Sequence, residues 1–397
     1  MPVDDVAARV EPILPLVAEH ADWTNEHRRP HPAVFAALAR AGLLRLIAPA
    51  HYNGGGAASE EFLTLIETIA RVDGSAAWTA MTINEEVGIA SAHLPAASMT
   101  ALLHDQPDVI IAGSGVALGQ ARPVDGGWLV NGRWKFVSGV PVADRVVLAS
   151  RVVTGDGGDG GSDGDPDGGA PRRARRVCFT LTPVSDVTIE DTWHVAGLRG
   201  SGSNDVVLTD VFVPDAWAGV FGPADPSVPR TPYYCLPTSL RFPFPKVGVA
   251  VGVARAAMAA FDQLARTKKP SFLPELLAER PNAQAAAAQA EALVSSGRAW
   301  VGELMDDVWA VAGRFEPIGP ELHARTRLGA SYAVDSAIRA VEGLASAAGT
   351  TASQLDGPWP RLLADVRSVG QHFMVGPQQM HTAGRVLLGQ DPGDPVF

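Results

Sequence analysis

Cysteine is almost missing from this 397-residue chain, which has only Cys178 and Cys235. Two thiols can close one bridge at most, so no disulfide framework is expected, and a reducing cytoplasm suits the chain better. Charge is also sparse, at 19% of residues, and unbalanced, with a formal net charge of −11. A phosphate backbone repels a chain of that sign, which argues against a nucleic-acid partner. No apolar run reads as long enough to span a membrane, and no basic start with an apolar core reads as a signal peptide. No histidine, cysteine and carboxylate cluster stands at metal-ligand spacing; His93 and His104 have no such partners. A P-loop is missing too. The glycines of 197–202 sit among expected strands, so they make no dinucleotide fingerprint. These absences leave a soluble cytoplasmic globular protein, long enough for two or three domains and a real core.

Glycine and proline, by contrast, are plentiful, at 41 and 31. Much of the excess lies in 155–169, which contains only Gly, Asp, Ser and Pro. Such a stretch cannot bury enough surface to offset its ordering entropy, so 155–175 is expected to be a disordered loop at a hairpin tip. Arg172, Arg173, Arg175 and Arg176 follow it and read as solvated loop charge.

Around that loop the hydrophobic period changes twice. Phe35, Leu38, Ala39 and Gly42 follow helical spacing, and so do Phe62, Ile66, Ile69 and Ala70; a further helix begins after Gly74-Ser75. From Val109 the pattern becomes extended. Asp125-Gly126-Gly127 reads as a turn. Asn131-Gly132 reads as a hairpin between Trp128-Leu129-Val130 and Arg133-Trp134-Lys135-Phe136. β-Branched runs at 145–153, 176–181 and 205–213 add strands to a mostly antiparallel β domain. After Pro245 the chain turns helical. The stretch 247–265 is apolar on nearly all sides and should be a central, buried helix. With 283–311, 321–348 and 360–388 it suggests a four-helix bundle. The order is an N-terminal helical domain (1–108), a middle β domain (109–225) and a C-terminal helical bundle (226–397).

That order resembles the acyl-CoA dehydrogenase fold, and three motifs carry the resemblance across essentially the whole chain. Asp73-Gly74-Ser75-Ala76-Ala77-Trp78 resembles the start of a helix in that superfamily. The segment from Pro123 through Trp134-Lys135-Phe136-Val137-Ser138-Gly139 resembles its flavin-facing hairpin. Trp193-His194-Val195-Ala196-Gly197-Leu198-Arg199-Gly200-Ser201-Gly202-Ser203-Asn204, running on to Asp210-Val211-Phe212-Val213-Pro214, resembles its last β segment.

A dehydrogenase of this fold needs a carboxylate to remove an α-proton. In the superfamily it stands late in the bundle or on the first bundle helix. Here no glutamate follows Glu342, and no acidic residue lies between Asp225 and Asp262. His372 stands near the late site instead. This resembles the flavin-dependent monooxygenases of the fold, which use reduced FMN or FAD (FADH2) and oxygen. The resemblance makes Ser138 and His372 the catalytic candidates. Ser138 would face the flavin reaction centre, and His372 would act as base or as stabiliser of a flavin hydroperoxide. Ser114, Trp134, Phe136, Arg199, Ser201 and Ser203 join Ser138 as flavin-binding candidates. Trp134 and Phe136 alternate around Lys135 and so should share one strand face, where core burial and flavin contact are equal alternatives. Asn84 either reaches the active site or caps a buried backbone group.

The resemblance further implies a homotetramer, with a dimer as fallback. A separate flavin reductase is implied because no NAD(P)H-binding module is visible. The expected substrate is a small aromatic or polyketide-like molecule, to be hydroxylated. N-oxygenation of an amine or aminosugar is the first alternative. An acyl-CoA dehydrogenase or flavin desaturase with another base, and a non-catalytic ligand-binding member of the fold, are the others.

Overall fold

In the computed structural model of the chain the described residues are 3–57, 59–153, 176–221, 231–394 and 397. The expected loop 155–169, with Arg172, Arg173 and Arg175, lies outside them.

Six helices come first: α1 (Val3–Val10), α2 (Leu14–His27), α3 (Pro32–Arg40), α4 (Ser59–Ala70), α5 (Gly74–His93) and α6 (Ala96–Asp105). The third and fourth bury the apolar positions read from the sequence, Phe35, Leu38, Phe62, Ile66 and Ile69 among them. Helix α5 is the axis of this layer. Asp73 caps it, accepting from the Ala76 N–H at 2.6 Å, which satisfies one orphan donor of the first turn. All of 74–91 except Thr82 is buried. A helix surrounded in this way must find partners for its own polar side chains. Asn84 does so by capping: its Oδ1 accepts from Leu46 N, and its Nδ2 donates to the Leu43 and Ala80 carbonyls.

The middle of the chain is one sheet of seven strands: β1 (Ile111–Val124), β2 (Gly127–Val137), β3 (Arg145–Val152), β4 (Val177–Pro183), β5 (Thr188–Glu190), β6 (Asn204–Pro214) and β7 (Ala218–Val220). The spatial order is β5-β6-β2-β1-β3-β4-β7, and among the described residues β1–β3 is the one parallel pair.

Two sequence expectations fail here. The hairpin turn is Asp125-Gly126, closing the Val124↔Gly127 pair, with Gly126 at φ +73°. Asn131-Gly132 instead lies inside β2, at a register shift against β6. Asn131 accepts from the Asp210 N–H at 2.8 Å and donates to the Asp210 carboxylate at 2.9 Å, so the bulge is locked by side chains. A Cβ on Gly132 would stand 2.5 Å from the Gly119 Cα, so that glycine permits a close strand approach. The second failure is the shared face of Trp134 and Phe136. The register shifts again between Trp134 and Val137, and Phe136 takes φ +61°. The bulge breaks the alternation. Trp134 is fully buried, while Phe136 is 67% exposed.

The C-terminal part contains α7 (Pro232–Cys235), α8 (Thr238–Arg241), α9 (Pro243–Thr267), α10 (Pro281–Gly313), α11 (Pro320–Ala348), α12 (Trp359–Gly370) and α13 (Gln378–Leu387). The stretch Thr238–Thr267 is long and apolar enough to cross a membrane, contrary to the reading of the sequence. Most of its apolar window is buried against the rest of the fold. The seat is built by glycine: a Cβ on Gly252 would stand 2.4 Å from the Ala70 Cβ, so α9 rides directly on α4. Each aliphatic side chain buried in this way contributes roughly 1.5–3 kcal/mol. The fourth bundle helix is not continuous. It breaks at 371–377 between α12 and α13, with Gly376 and Pro377 ending the interruption, and His372 sits in the break.

Candidate active site

The N-terminal half of α5, the end of β2, the 197–203 segment, the start of α9 and the α12–α13 break converge on one place. Gly139 follows β2, at φ +80°, and a Cβ there would press on the Thr79 side chain at 2.9 Å. Glycine therefore lets Ser138 come down onto α5. The Trp78 indole N–H donates to Ser138 Oγ at 3.2 Å. Ser138 Oγ lies 2.7 Å from Ser203 Oγ, which lies 2.7 Å from Ser201 Oγ.

Burial sets the direction of that hydroxyl chain. Ser201 is 0% exposed, Ser203 2% and Ser138 6%. If Ser203 donated to Ser201, the Ser201 proton would be buried with no acceptor among the described residues. That costs about 1–3 kcal/mol. The favoured order is Ser201 to Ser203 to Ser138. Ser138 then accepts from both Ser203 and Trp78, and its own proton is left to point out of the chain.

His372 meets the same tryptophan from the other side, with ring centroids 5.7 Å apart and an edge-on geometry. Burial and the nearby Lys246 charge hold its pKa well below the usual histidine value, so it is neutral near pH 7. Its Nδ1 accepts from the Met374 N–H at 3.3 Å, which assigns the proton to Nε2.

Behind Trp78 lies an ion pair. Lys246 Nζ is 5.9 Å from the Trp78 ring centre, donates to both Glu85 oxygens at 2.9 and 3.0 Å, and donates to the Phe242 carbonyl at 3.1 Å. Both side chains are buried. Burial and the adjacent Glu85 push the neighbouring Glu86 carboxyl well above its usual value. Glu86 lies against β1: a Cβ on Gly113 would be 2.7 Å from its Oε2.

The other flavin-binding candidates separate. Ser114 is buried beside Gly113, where the pairing of β1 with β3 is interrupted until Gly119. Ser201 and Ser203 belong to the hydroxyl chain. Arg199 braces the backbone, donating to the Asn25 carbonyl at 3.2 Å and to Val195 at 3.1 Å. Trp134 is a core residue whose indole N–H donates to the Ala149 carbonyl at 2.6 Å. Phe136 stands out from the bulge, edge-on to Trp193 at 6.1 Å.

Sequence reasoning missed roles for Trp78, Glu85, Glu86, Lys246 and Asp365. The available signal was charge inside apolar helices: Glu85-Glu86 in α5 and Lys246, the single charge of 242–254. Of these, Lys246 and Glu85 partner each other.

A flat heteroaromatic cofactor fits these residues. Beyond the Gln120↔Asn131 pair, β1 and β2 part, and Val116, Leu118 and Phe136 of that stretch are exposed apolar side chains. Ser138, with an unused proton, stands at the end of the same strand.

Helical layer, sheet and helical bundle in this order define an acyl-CoA dehydrogenase-type protein. Residues 6–94 match the family of acyl-CoA dehydrogenase N-terminal domains and residues 246–377 that of the C-terminal domains. An indole-3-acetate monooxygenase of Acinetobacter baumannii is 31% identical over 360 residues, covering 89% of this chain and 86% of that one. The flavin-dependent monooxygenase oxygenase subunit HsaA of Rhodococcus jostii is 28% identical, covering 94% and 95%. The crystal structure of 3-HSA hydroxylase from Rhodococcus sp. RHA1 superposes with a TM-score of 0.84 at 26% identity, covering 99% of each chain. The chain belongs to the acyl-CoA dehydrogenase family, in its flavin-dependent monooxygenase branch, and is an oxidoreductase.

Proposed function

We propose that this chain is the oxygenase component of a two-component aromatic hydroxylase. It takes reduced FAD or FMN from a separate reductase and hydroxylates a small aromatic molecule. One oxygen atom of O2 enters the substrate, the other leaves as water, and the two electrons come from the reduced flavin. The observation that carries this reading is the convergence on Trp78 of a serine with a free proton and a neutral histidine. Bound reduced flavin supplies the oxygen activation. The chain's own residues position and protect it. Ser138 offers its O–H to the cofactor edge. His372 would offer Nε2–H to the oxygen being transferred or to a substrate hydroxyl, while its low pKa keeps a second proton away. Trp78 and the β1–β2 apolar side chains exclude water. The assembly is a homotetramer, as the family resemblance suggests.

The test is a turnover with reductase-supplied FADH2 under ¹⁸O2, using indole-3-acetate and simple phenols as substrates. One ¹⁸O atom per product is expected. Anaerobic bleaching of bound oxidised flavin by an acyl-CoA thioester, with no labelled product, would instead make the chain a dehydrogenase.

A further inference from the structure

Asp365 is 3% exposed and stands where the elements that carry Ser138, Trp78 and His372 meet. Its Oδ1 accepts from the Leu198 N–H at 2.6 Å. Leu198 is a non-glycine residue in the left-handed region, at φ +53°, a conformation that persists only where its surroundings hold it. From there a continuous path of bonds reaches the hydroxyl chain. The Leu198 carbonyl accepts from the Ser201 N–H at 3.1 Å, and the Ser201 carbonyl accepts from the Gly139 N–H at 2.9 Å. The Ser201 hydroxyl leads through Ser203 to Ser138. The path is tightly seated. A Cβ on Gly197 would stand 2.1 Å from the Ala364 carbonyl oxygen, and one on Gly200 2.2 Å from the Thr24 side chain. The Gly200 N–H donates to Ser75 Oγ at 3.1 Å. On the other side of the carboxyl, a Cβ on Gly74 would stand 3.1 Å from Asp365 Oδ2, one helical turn ahead of Trp78. Helix α12, which carries Asp365, runs to Gly370, two residues before His372.

Burial is the largest influence on the Asp365 pKa and raises it to about 7. The Leu198 bond opposes the rise. Asp73, a second buried carboxyl at the start of α5, adds to it. Arg361, one turn back on α12, lowers it but is paired with Asp22 of α2 at 3.0 Å. Arg199 donates to the Asn25 and Val195 carbonyls, and α9 presents the apolar Val253 at Gly74. A carboxylate would strengthen the Leu198 bond, yet burial and Asp73 outweigh that gain.

We propose that Asp365 is a positioning residue of the hydroxylation: neutral, it holds the Ser201–Ser203–Ser138 chain against Trp78, and ionised, it loosens that hold and lets oxygen escape as hydrogen peroxide. In that escape the two electrons of the reduced flavin and two protons convert O2 to hydrogen peroxide, and the substrate is unchanged. The proposal rests on the aromatic hydroxylase reading and adds a residue to it.

An opening that frees Asp365 returns it to the ordinary carboxyl value near 4. Such openings become up to about tenfold more frequent per pH unit between about 4 and about 7, and level off above. The experiment measures hydrogen exchange of the 197–203 amides in the flavin-loaded protein from about pH 5 to about pH 8, corrected for the intrinsic pH dependence. In parallel, the ratio of hydrogen peroxide to product is measured with the reductase and indole-3-acetate or a simple phenol. In the wild type the exchange should climb to about pH 7 and level off, and the peroxide share should rise roughly threefold or more across the range. Asp365→Asn still accepts from Leu198 and has no proton to lose, so both profiles should stay flat at the wild-type acid-side level. Wild-type exchange that is flat with pH, a climb that persists in Asp365→Asn, or a peroxide share with the same pH dependence in both proteins would each overturn the proposal. Should Asp365→Asn not fold, Asp73→Asn decides: it keeps a helix cap and removes the like charge. Its climb should then end at lower pH than in the wild type, and an unmoved profile overturns the proposal. Exchange is read without turnover, so the two readings fail separately. Exchange that follows the Asp365 proton with no ¹⁸O-labelled product removes the hydroxylase. Labelled product with exchange that ignores pH removes the role of Asp365 alone.

Discussion

At Ser138 the direction of one proton follows from which hydroxyls have somewhere else to donate. The Trp78 indole fills one acceptor position and Ser203 the other. Trp78→Phe keeps a ring beside His372 and removes only the indole donor. A hydrogen bond of this kind is worth about 0.5–1.5 kcal/mol net, or roughly a two- to tenfold effect. The variant should release proportionally more hydrogen peroxide per flavin oxidised, with less product, when assayed with the reductase. An unchanged ratio would show that the indole contact does not orient the serine. At this scale the sequence offers candidates where a motif singles a residue out. Ser138 and His372 stand out by position in the chain. Trp78 does not, because its role depends on a contact 60 residues away with Ser138. Trp134 and Phe136 mislead for a related reason: alternation holds only while the strand stays regular, and one residue in the left-handed region ends it.

At the scale of elements, Asp365 ties three of them together. It sits on α12, accepts from the Leu198 N–H at 2.6 Å in the segment that carries Ser201 and Ser203, and lies against Gly74 at the start of α5. Burial, reinforced by the nearby Asp73, pushes its pKa up to about 7. Between the ordinary carboxyl value near 4 and about 7 the folded protein holds a proton that the unfolded chain has lost. Stability contributed by this group is therefore full below pH 4 and falls as pH rises towards 7. Asp365→Asn can still accept from Leu198 and carries no such penalty. Its stability relative to wild type, measured by denaturant unfolding, should rise between pH 4 and pH 8, by up to about 4 kcal/mol. A difference that stays flat with pH would mean that Asp365 is ionised in the folded state. The sequence announces helices well and their interruptions poorly. The long apolar period of 360–388 reads as one helix, yet the chain breaks at 371–377. Asn131-Gly132 has the composition of a hairpin, but Asp125-Gly126 takes the turn and the later pair becomes a bulge. In both cases tertiary packing overrides a local preference.

At the scale of the whole molecule, each layer supplies one part of the site. The helical layer provides Trp78 and the Glu85 end of the ion pair, the sheet provides Ser138 and Ser203, and the bundle provides Lys246 and His372. The order of layers is legible because it needs only the hydrophobic period, which changes near Val109 and again after Pro245. The buried ion pair is not legible, since it joins residues 161 apart in the chain. Such a site works only if all three layers hold their relative placement. The most direct measurement is rapid mixing of the anaerobically reduced, flavin-loaded enzyme with oxygen, followed by absorbance. A transient between the reduced and oxidised flavin spectra is predicted, with a lifetime shortened at least tenfold in Ser138→Ala and in His372→Ala. Reoxidation with no transient in the wild type, or a lifetime that neither substitution alters, would contradict the account.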